Sequence, residues 1–187
     1  MNTRERILEV AQTLAQSRGF NAFSYADISD AVGIRKASIH HHFPAKEDLE
    51  RELVLRYRAN FRVLLDTIDR DSRTVAERLE GYFALYRATL DDGAICLCGM
   101  MASDIAALPE VLREPLQDFF DDQIEWLAVT LNEGVRRKEW PLPKSSALQR
   151  AKSILATLQG GLMIARATND PVFLDFLTAD LLQQLQR

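Results

Sequence analysis

The chain is poor in the residues that build disulfide frameworks and membrane spans. Two of its 187 residues are cysteine. Cys96 and Cys98 are too few for a disulfide framework, and a reducing compartment would keep them as thiols. No apolar run approaches the roughly 18 residues of a membrane span, and the N-terminal stretch MNTRERILEV lacks the apolar region of a signal peptide. We therefore expect a cytoplasmic protein that does not bind membranes.

The alternation of apolar and polar residues that marks β-strands is also missing. Apolar residues recur at three- and four-residue spacing instead, and the six prolines fall mostly between the periodic segments. Hydrophobic residues make up 47% of the chain, which is enough for a substantial core. The sequence therefore predicts an all-α fold of about nine helices.

Apolar spacing and helix-ending residues place these helices along the chain. The first ends before Gly19, and the second, opened by Ser24, ends before Gly33. The segment PLPK separates the seventh helix from the eighth. The other predicted spans are about Arg35–Phe43, Lys46–Arg70, Val75–Leu90, Ala94–Leu108, Pro115–Lys138, Ser145–Thr168 and Pro171–Gln186.

The segment Ile34–Lys46 concentrates basic chemistry in a chain of net charge −4. It holds all three histidines, three lysine or arginine side chains and no acid. The first fifty residues as a whole carry six lysines or arginines against seven aspartates or glutamates. These fifty residues could therefore bind a polyanion only if their lysine and arginine side chains share one face.

Two short helices joined at a glycine turn, the second one cationic, predict a helix-turn-helix. Ser24 with Asp27 three residues later is a capping-box-like start, and Gly33 supplies the permissive backbone of a sharp turn. A DNA major groove admits one helix while the preceding helix braces it. A plain three-helix core with a solvated basic face is the alternative that spacing leaves open. The predicted buried set is Ile28, Val32, Ile34, Ile39 and Phe43; the outward set is Arg35, Lys36, Ser38, His40 and His41.

The stretch SYADISDAVGIRKASIHHHFPAKEDLERELV resembles the helix-turn-helix of the tetracycline-repressor (TetR) family of bacterial transcription regulators. The matching positions are Ser24, Gly33, Ser38, His41, Phe43, Lys46 and Leu49. Two positions depart from the usual pattern, because Arg35 stands where a serine helix cap is common and His40 where tyrosine is common. The resemblance implies a regulator that is not an enzyme. It also implies binding to a palindromic double-stranded DNA operator as a homodimer, most often as a repressor that a small-molecule inducer releases.

Chemistry assigns roles to the predicted DNA-binding residues. Cationic side chains neutralise phosphates, serine hydroxyls donate to phosphate oxygens, and histidines suit base edges or sugars. Adjacent side chains on a helix diverge by about 100°, so the three histidines cannot converge on one ion, and we predict neither a metal site nor a cofactor. The predicted DNA-binding set is Ser24, Arg35, Lys36, Ser38, His40, His41 and Lys46. We assign residues 1–47 to the DNA-binding domain and 48–187 to a ligand-binding and dimerisation domain.

The last two predicted helices are suited to pairing with a second copy. Gly160 and Gly161 lie mid-helix, where each costs about 1 kcal/mol relative to alanine. That cost is tolerable if another backbone approaches closely, and a tight contact within the same subunit is the alternative. The ninth helix is apolar on more than one side, and the resemblance implies a four-helix interface from these two helices of each subunit. The predicted interface residues are Gly160, Gly161, Ile164, Phe173, Leu177 and Leu181.

Aromatic and methionine side chains in the middle of the chain suit an adaptable apolar pocket for a small apolar or aromatic effector. The predicted pocket residues are Tyr82, Phe83, Tyr86, Cys96, Met100, Met101, Phe119 and Trp126. Any one of them could equally be plain core, and the resemblance is the main support for a pocket. A DNA-binding protein without an inducer is the first alternative function. An enzyme is disfavoured because no nucleophile–base–acid set is visible.

Two interpretations of the cysteines remain open. On a helix Cys96 and Cys98 would point to nearly opposite sides, whereas in an extended segment both would face one way. Buried structural thiols are the simpler interpretation. A thiol that senses an electrophile or an oxidant is the other.

Overall fold

The computed structural model describes residues 2–106, 108–141 and 146–186. These residues form nine α-helices and two short 3-10 turns, Phe20–Ala22 and Glu110–Leu112, with no strand among them. The all-α fold class predicted from the sequence is confirmed. The helices are α1 Thr3–Arg18, α2 Tyr25–Val32, α3 Lys36–His42, α4 Lys46–Asp71, α5 Val75–Asp91, α6 Leu97–Ser103, α7 Arg113–Arg136, α8 Ala147–Thr168 and α9 Pro171–Gln186.

Helix ends follow from identifiable capping residues. The Asn2 side chain accepts from the Glu5 N–H at 2.9 Å, and Gly19 ends α1 with φ of 98°. Thr74 and Glu77 form a complete capping box at the start of α5. The eighth helix begins at Ala147, after its N-cap Ser146. Its predicted start, Ser145, lies outside the described residues, as do residues 142–144 of PLPK.

Helix α6 is shorter than the predicted span Ala94–Leu108. The residues just before α6 pair with α1 instead of continuing the helix. The Gln16 side chain donates to the Ile95 carbonyl at 2.9 Å, and the Ile95 N–H donates to the Gln16 carbonyl at 3.3 Å. Cys96 then caps the helix, with its sulfur accepting from the Gly99 N–H at 3.4 Å. Side-chain periodicity could not reveal this backbone pairing, because it depends on a segment about 80 residues away.

The chain forms two compact units, and their division lies inside α4 and α7. Residues up to Asn60 and Ala94–Phe119 form the first unit, and Phe61–Gly93 with the residues from Phe120 onward form the second. This division is not the predicted functional boundary after residue 47, which stays a prediction. None of the helices in the described ranges is long and apolar enough to cross a bilayer.

Each unit has an apolar core of its own. In the first unit, α1 packs with α2, α3 and α6, and α2 packs with α3. In the second unit, α5 packs with α8 and α9. The first core includes Ile7, Leu8, Ala11, Ala15, Ile28, Val32, Ile39, Phe43, Leu49, Leu53 and Val54. The second includes Leu79, Tyr82, Phe83, Tyr86, Leu127, Leu131, Ile154, Leu158, Leu162 and Leu174.

Candidate nucleic-acid interface

Local hydrogen bonds build the turn between α2 and α3. The Asp27 carboxylate accepts from the Ser24 N–H at 2.8 Å, and the Ser24 hydroxyl oxygen accepts from the N–H groups of the first turn. The hydrogen bond from the Ser24 hydroxyl is the main reason why the pKa of Asp27 is lowered. At the other end, Gly33 adopts a left-handed conformation with φ of 73° and ψ of 39°, and its N–H donates to the Ser29 carbonyl at 2.9 Å. Glycine fits this position because a Cβ would be strained there.

Helix α3 presents two different sides. Ile39 and, just past the helix, Phe43 are buried against the core of the unit, as their four-residue spacing predicts. Four predicted DNA-binding side chains in and just before α3 are exposed, as is Ser24 before α2. Ser38 and His42 are half-buried, and the predicted core residue Ile34 is also only half-buried. Ile34 lies at the turn itself, where its carbonyl accepts from the Ser29 hydroxyl at 2.6 Å. The four exposed side chains are Arg35, Lys36, His40 and His41.

Two side chains of α1 brace this arrangement. The Arg6 guanidinium donates to the Val32 carbonyl at 2.7 Å, which ties α1 to the end of α2. The Arg4 guanidinium lies 5.2 Å from the centre of the Phe43 ring and pairs with Glu52 at 2.7 Å.

Arg35 precedes α3 as its N-cap and makes no side-chain cap hydrogen bond. Its guanidinium is therefore not used to cap the helix.

Lys46 is more engaged than the sequence suggests. Its ammonium donates to the Phe20 carbonyl at 3.1 Å and to the Phe23 carbonyl at 3.4 Å. The ammonium also lies 4.9 Å from the centre of the Phe20 ring and 5.3 Å from the centre of the Phe23 ring, in cation–π geometry. One of its three N–H donors is left, so the phosphate contact predicted for Lys46 would have to be made beside these bonds.

A buried carboxyl lies one turn further along α4. The Glu50 side chain is 6% exposed, and its Oε2 has no hydrogen-bond partner among the described residues. Burial raises the pKa of Glu50 to about 7; Lys46 lowers it in part, and Glu47 raises it. Sequence reasoning missed this group, although its position three residues before Leu53, on the apolar stripe of α4, could have identified it.

The histidines do not converge on one point. The His40 ring lies 4.8 Å from the Tyr25 ring, whereas the His41 and His42 rings lie 5.5 Å from each other. Across the described ranges, no group of three or more histidine, cysteine, aspartate or glutamate side chains could hold a metal ion. The arrangement suits separate contacts to a ligand surface.

Four of the predicted pocket residues cluster in the second unit. The Tyr82 ring is stacked on Trp126, with centroids 5.4 Å apart, and lies 6.3 Å from Phe83 and 5.5 Å from Tyr86. The Trp126 indole N–H donates to Asp69 at 2.9 Å. The sequence therefore located an aromatic cluster on α5 and α7.

Sequence reasoning missed the polar residues of this cluster. The Gln123 Oε1 accepts from the Tyr82 hydroxyl at 2.8 Å and from the Tyr86 hydroxyl at 3.2 Å, and Gln159 donates to the Tyr86 hydroxyl at 3.1 Å. Gln123 is buried. Its position, four residues before the apolar Leu127, marks a polar residue on an inward face and could have identified it.

The other four predicted pocket residues belong to the first unit. The Tyr57 ring lies 5.4 Å from the Phe119 ring, and a hydrogen bond joins the side chains of Tyr57 and Cys96. Desolvation raises the pKa of Tyr57 and that of the Cys98 thiol well above their usual ranges. Both cysteines are buried, and Cys98 is disfavoured as a thiolate, which supports a structural role for it. Met101 is buried, and Met100 is half-buried.

The predicted dimer residues fall into two groups. A Cβ on Gly161 would lie 2.5 Å from Leu177 of the same subunit, whereas a Cβ on Gly160 would meet nothing within 4 Å. Leu181 is buried, and Phe173 and Leu177 are half-buried. Tight packing within the subunit, the alternative noted above, therefore accounts for Gly161. The apolar side chains that remain exposed on α8 and α9 include Met163, Ile164, Val172 and Phe176.

Comparison with known proteins agrees with this architecture. Residues 7–53 match the family model described as bacterial regulatory proteins, tetR family. A TetR transcriptional regulator from Legionella pneumophila is 34% identical, with a TM-score of 0.91 over 99% of this chain and 98% of that one. A TetR family regulator from Agrobacterium tumefaciens is 33% identical, with a TM-score of 0.93 over 98% and 97%.

A more distant relative is the HTH-type transcriptional repressor DhaR of Mycobacterium sp. (strain GP1). It is 26% identical over 132 residues, which are 70% of this chain and 66% of DhaR. Taken with the two full-length matches and the helix-turn-helix described above, the comparison identifies a transcriptional regulator and not an enzyme. The chain belongs to the TetR family of bacterial transcriptional regulators.

Proposed function

We propose that this protein is a homodimeric transcriptional repressor that binds a palindromic DNA operator and is released by a small-molecule inducer. The observation that carries the proposal is the division of the α3 segment into a buried apolar side and an exposed side with Arg35, Lys36, His40 and His41. DhaR, which is named a repressor, supports the direction of regulation. Such a protein would act in the cytoplasm, where bacterial DNA lies.

The exposed side chains of α3 divide the work of DNA binding by their chemistry. Arg35 and Lys36 neutralise phosphates, and the histidines contact base edges or sugars. Ser24 and Ser38 donate to phosphate oxygens. Lys46 has a smaller share, because two of its donors already serve the Phe20 and Phe23 carbonyls.

The apolar side chains left exposed on α8 and α9 support the proposed dimer. Val172 and Phe176 are 68% and 66% exposed, and Ile164 is 48% exposed. A helix-turn-helix dimer reads two half-sites about 34 Å apart, which one subunit cannot do. Ile164 and Gly160 remain predicted interface positions, and Val172 and Phe176 join them.

An effector is expected at the aromatic cluster of the second unit. Tyr82, Tyr86, Gln123 and Gln159 offer hydroxyl and amide groups beside the Trp126 ring, a combination suited to a small aromatic molecule with one polar group. Cys96, Met100, Met101 and Phe119 also remain predicted pocket residues. The effector would shift the dimer towards a conformation that fits the operator poorly. The free energy of this shift cannot exceed the difference between the effector's binding free energies for the two conformations.

The DNA-binding proposal can be tested by the salt dependence of binding. A duplex enriched from random-sequence DNA by the full chain serves as the probe, and fluorescence anisotropy measures Kd between 50 and 200 mM salt. We expect Lys36→Gln to weaken binding and to reduce the slope of log K against log salt by about 0.9, the loss of one phosphate contact. The exposed Lys138 provides the control, because Lys138→Gln should leave Kd and slope unchanged. Failure to enrich any sequence, or an unchanged slope for Lys36→Gln and Arg35→Gln alike, would contradict the proposal.

A further inference from the structure

Side chains of α2 and α3 contact three successive carbonyls in the turn after α3. The Tyr25 hydroxyl donates to the Phe43 carbonyl at 3.0 Å and to the Ala45 carbonyl at 2.8 Å, a shared hydrogen bond. The carbonyl between them, that of Pro44, lies 3.4 Å from Nδ1 of His40. The Tyr25 ring stands at 62° to the His40 ring, with centroids 4.8 Å apart. The His40 imidazole is therefore held by two contacts, one between Nδ1 and the Pro44 carbonyl and one with the Tyr25 ring.

This arrangement favours the tautomer of neutral His40 in which Nδ1 carries the proton. A carbonyl oxygen can only accept a hydrogen bond, so Nδ1 must be the donor. A neutral imidazole has one N–H, and its other nitrogen is then an acceptor. That nitrogen, Nε2, lies on the far side of an exposed ring, and the structure shows no partner for it within residues 2–106, 108–141 and 146–186. The contact at 3.4 Å is long, and its importance lies in the tautomer that it selects.

An outward acceptor differs from the other exposed groups nearby. Arg35 and Lys36 can only donate, so they suit phosphates or the N7 and O6 acceptors of guanine. An acceptor instead suits the two donors that bases offer in the major groove, the N6 amine of adenine and the N4 amine of cytosine. His41 lies against His42, and no carbonyl of the described residues makes a contact that would select its tautomer.

We propose that His40 is a specificity-determining residue whose Nε2 accepts a hydrogen bond from the exocyclic amine of one adenine or cytosine in each half-site. Tyr25 is a positioning residue, because it holds the imidazole ring and the turn that contains Pro44. The inference rests on the proposed DNA binding and adds to it the chemistry of one base contact.

Base analogues that lack the amine provide the test. A duplex is first enriched from random-sequence DNA by the full chain at pH 8. Each adenine is then replaced in turn by purine without the 6-amino group, and each cytosine by pyrimidin-2-one, and Kd is measured by fluorescence anisotropy. We expect one replacement per half-site to weaken native binding roughly tenfold, the typical effect of one hydrogen bond. The analogue that produces this effect distinguishes adenine from cytosine.

Variants connect that amine to His40. His40→Phe should bind the parent duplex roughly tenfold more weakly, with no further loss on the amine-free duplex, the non-additivity expected of direct partners. His40→Gln keeps an acceptor and should retain the amine preference. His41→Phe is the matched control and should retain it too. Tyr25→Phe should reduce the amine preference more than it reduces overall affinity, and a purely structural role would lower both equally.

The outcomes separate this inference from the function on which it rests. An enriched duplex with no amine-dependent position overturns the role of His40 and leaves DNA binding intact. Equal amine dependence in native protein and His40→Phe overturns it as well, provided that the thermal melt of the variant shows a folded chain. Failure to enrich any sequence removes the DNA-binding proposal and this inference with it.

Discussion

The helix-turn-helix and the α8–α9 pair use their apolar residues differently. In the helix-turn-helix, Ile28, Val32 and Ile39 are all buried within the first unit, and charged and imidazole groups are left exposed. Helices α8 and α9 also bury leucines against α5 and each other, yet Val172 and Phe176 stay mostly exposed. The helix-turn-helix therefore exposes charged and imidazole side chains, whereas the α8–α9 pair exposes apolar ones.

This difference indicates the kind of partner for each region. Exposed cations and imidazoles on a helix suit a polyanion with hydrogen-bonding base edges. Exposed aliphatic and aromatic side chains on adjacent helices suit an apolar protein surface, and a second copy provides the same surface. On the proposed function, one surface would bind DNA and the other a second copy, and each can be changed separately.

The largest expected effect comes from placing a charge on the α9 surface. Phe176→Glu would bury a carboxylate in the proposed interface without a partner, which costs several kcal/mol. We expect the dimer to weaken at least a hundredfold, as measured by analytical ultracentrifugation, and operator affinity to fall with it. Val63→Glu on α4 is the matched control, since Val63 is 62% exposed and belongs to no predicted interface. A native chain that sediments as a monomer, or a Phe176→Glu variant that stays a dimer, would contradict this use of the surface.

Most of the fold could be predicted from sequence because its determinants are local. Gly19, Gly33 and the capping residue Ser24 act within a few residues of their own position, so the end of α1, the start of α2 and the turn of the helix-turn-helix follow from the sequence. Helix α6 is different. Its short length depends on hydrogen bonds between Gln16 and Ile95, which local spacing does not encode.

The sites divide in the same way. The exposed side of α3 follows from helical periodicity around Ile39 and Phe43. The engagement of Lys46 with the Phe20 and Phe23 carbonyls depends on where another segment lies, so periodicity could only mark it as a free cation. Periodicity could have placed Gln123 on an inward face, but it could not predict its two tyrosine partners, because they come from a different helix.

Glu50 is an exception to the apolar core of the first unit, and it gives the second prediction. Burial raises its pKa from the ordinary 4.5 to about 7. Well below pH 4.5 the carboxyl is neutral in both the folded and unfolded chains, so its ionisation does not reduce the free energy of unfolding. As pH rises towards 7 the unfolded chain releases its proton more readily, so stability is lost across this window. The shift corresponds to about 3 kcal/mol in the free energy of unfolding.

Glu50→Gln isolates this contribution. We expect the variant to exceed the native protein in free energy of unfolding by up to about 3 kcal/mol at pH 8 and to match it at pH 4.5, with urea titrations across that range as the measurement. The exposed Glu9 on α1 supplies the control, because it does not contribute to the raised pKa of Glu50 and Glu9→Gln should leave the pH dependence unchanged. If native protein and Glu50→Gln differ by a constant amount at every pH, the buried carboxyl is not responsible for the dependence.

The smallest effects come from the adjacent glycines of α8, which sharpen the comparison within one helix. Gly161 faces Leu177 of its own subunit, so Gly161→Leu should overpack the α8–α9 contact and lower the free energy of unfolding by about 1–3 kcal/mol. Gly160 meets nothing within 4 Å in its own subunit, so Gly160→Ala should raise helix stability by up to about 1 kcal/mol. Thermal unfolding and sedimentation of both variants distinguish two roles for Gly160. If Gly160→Ala stabilises the subunit but weakens the dimer, a partner backbone approaches this glycine; if it stabilises both, Gly160 lies outside the interface, which then depends on the exposed side chains around Phe176 alone.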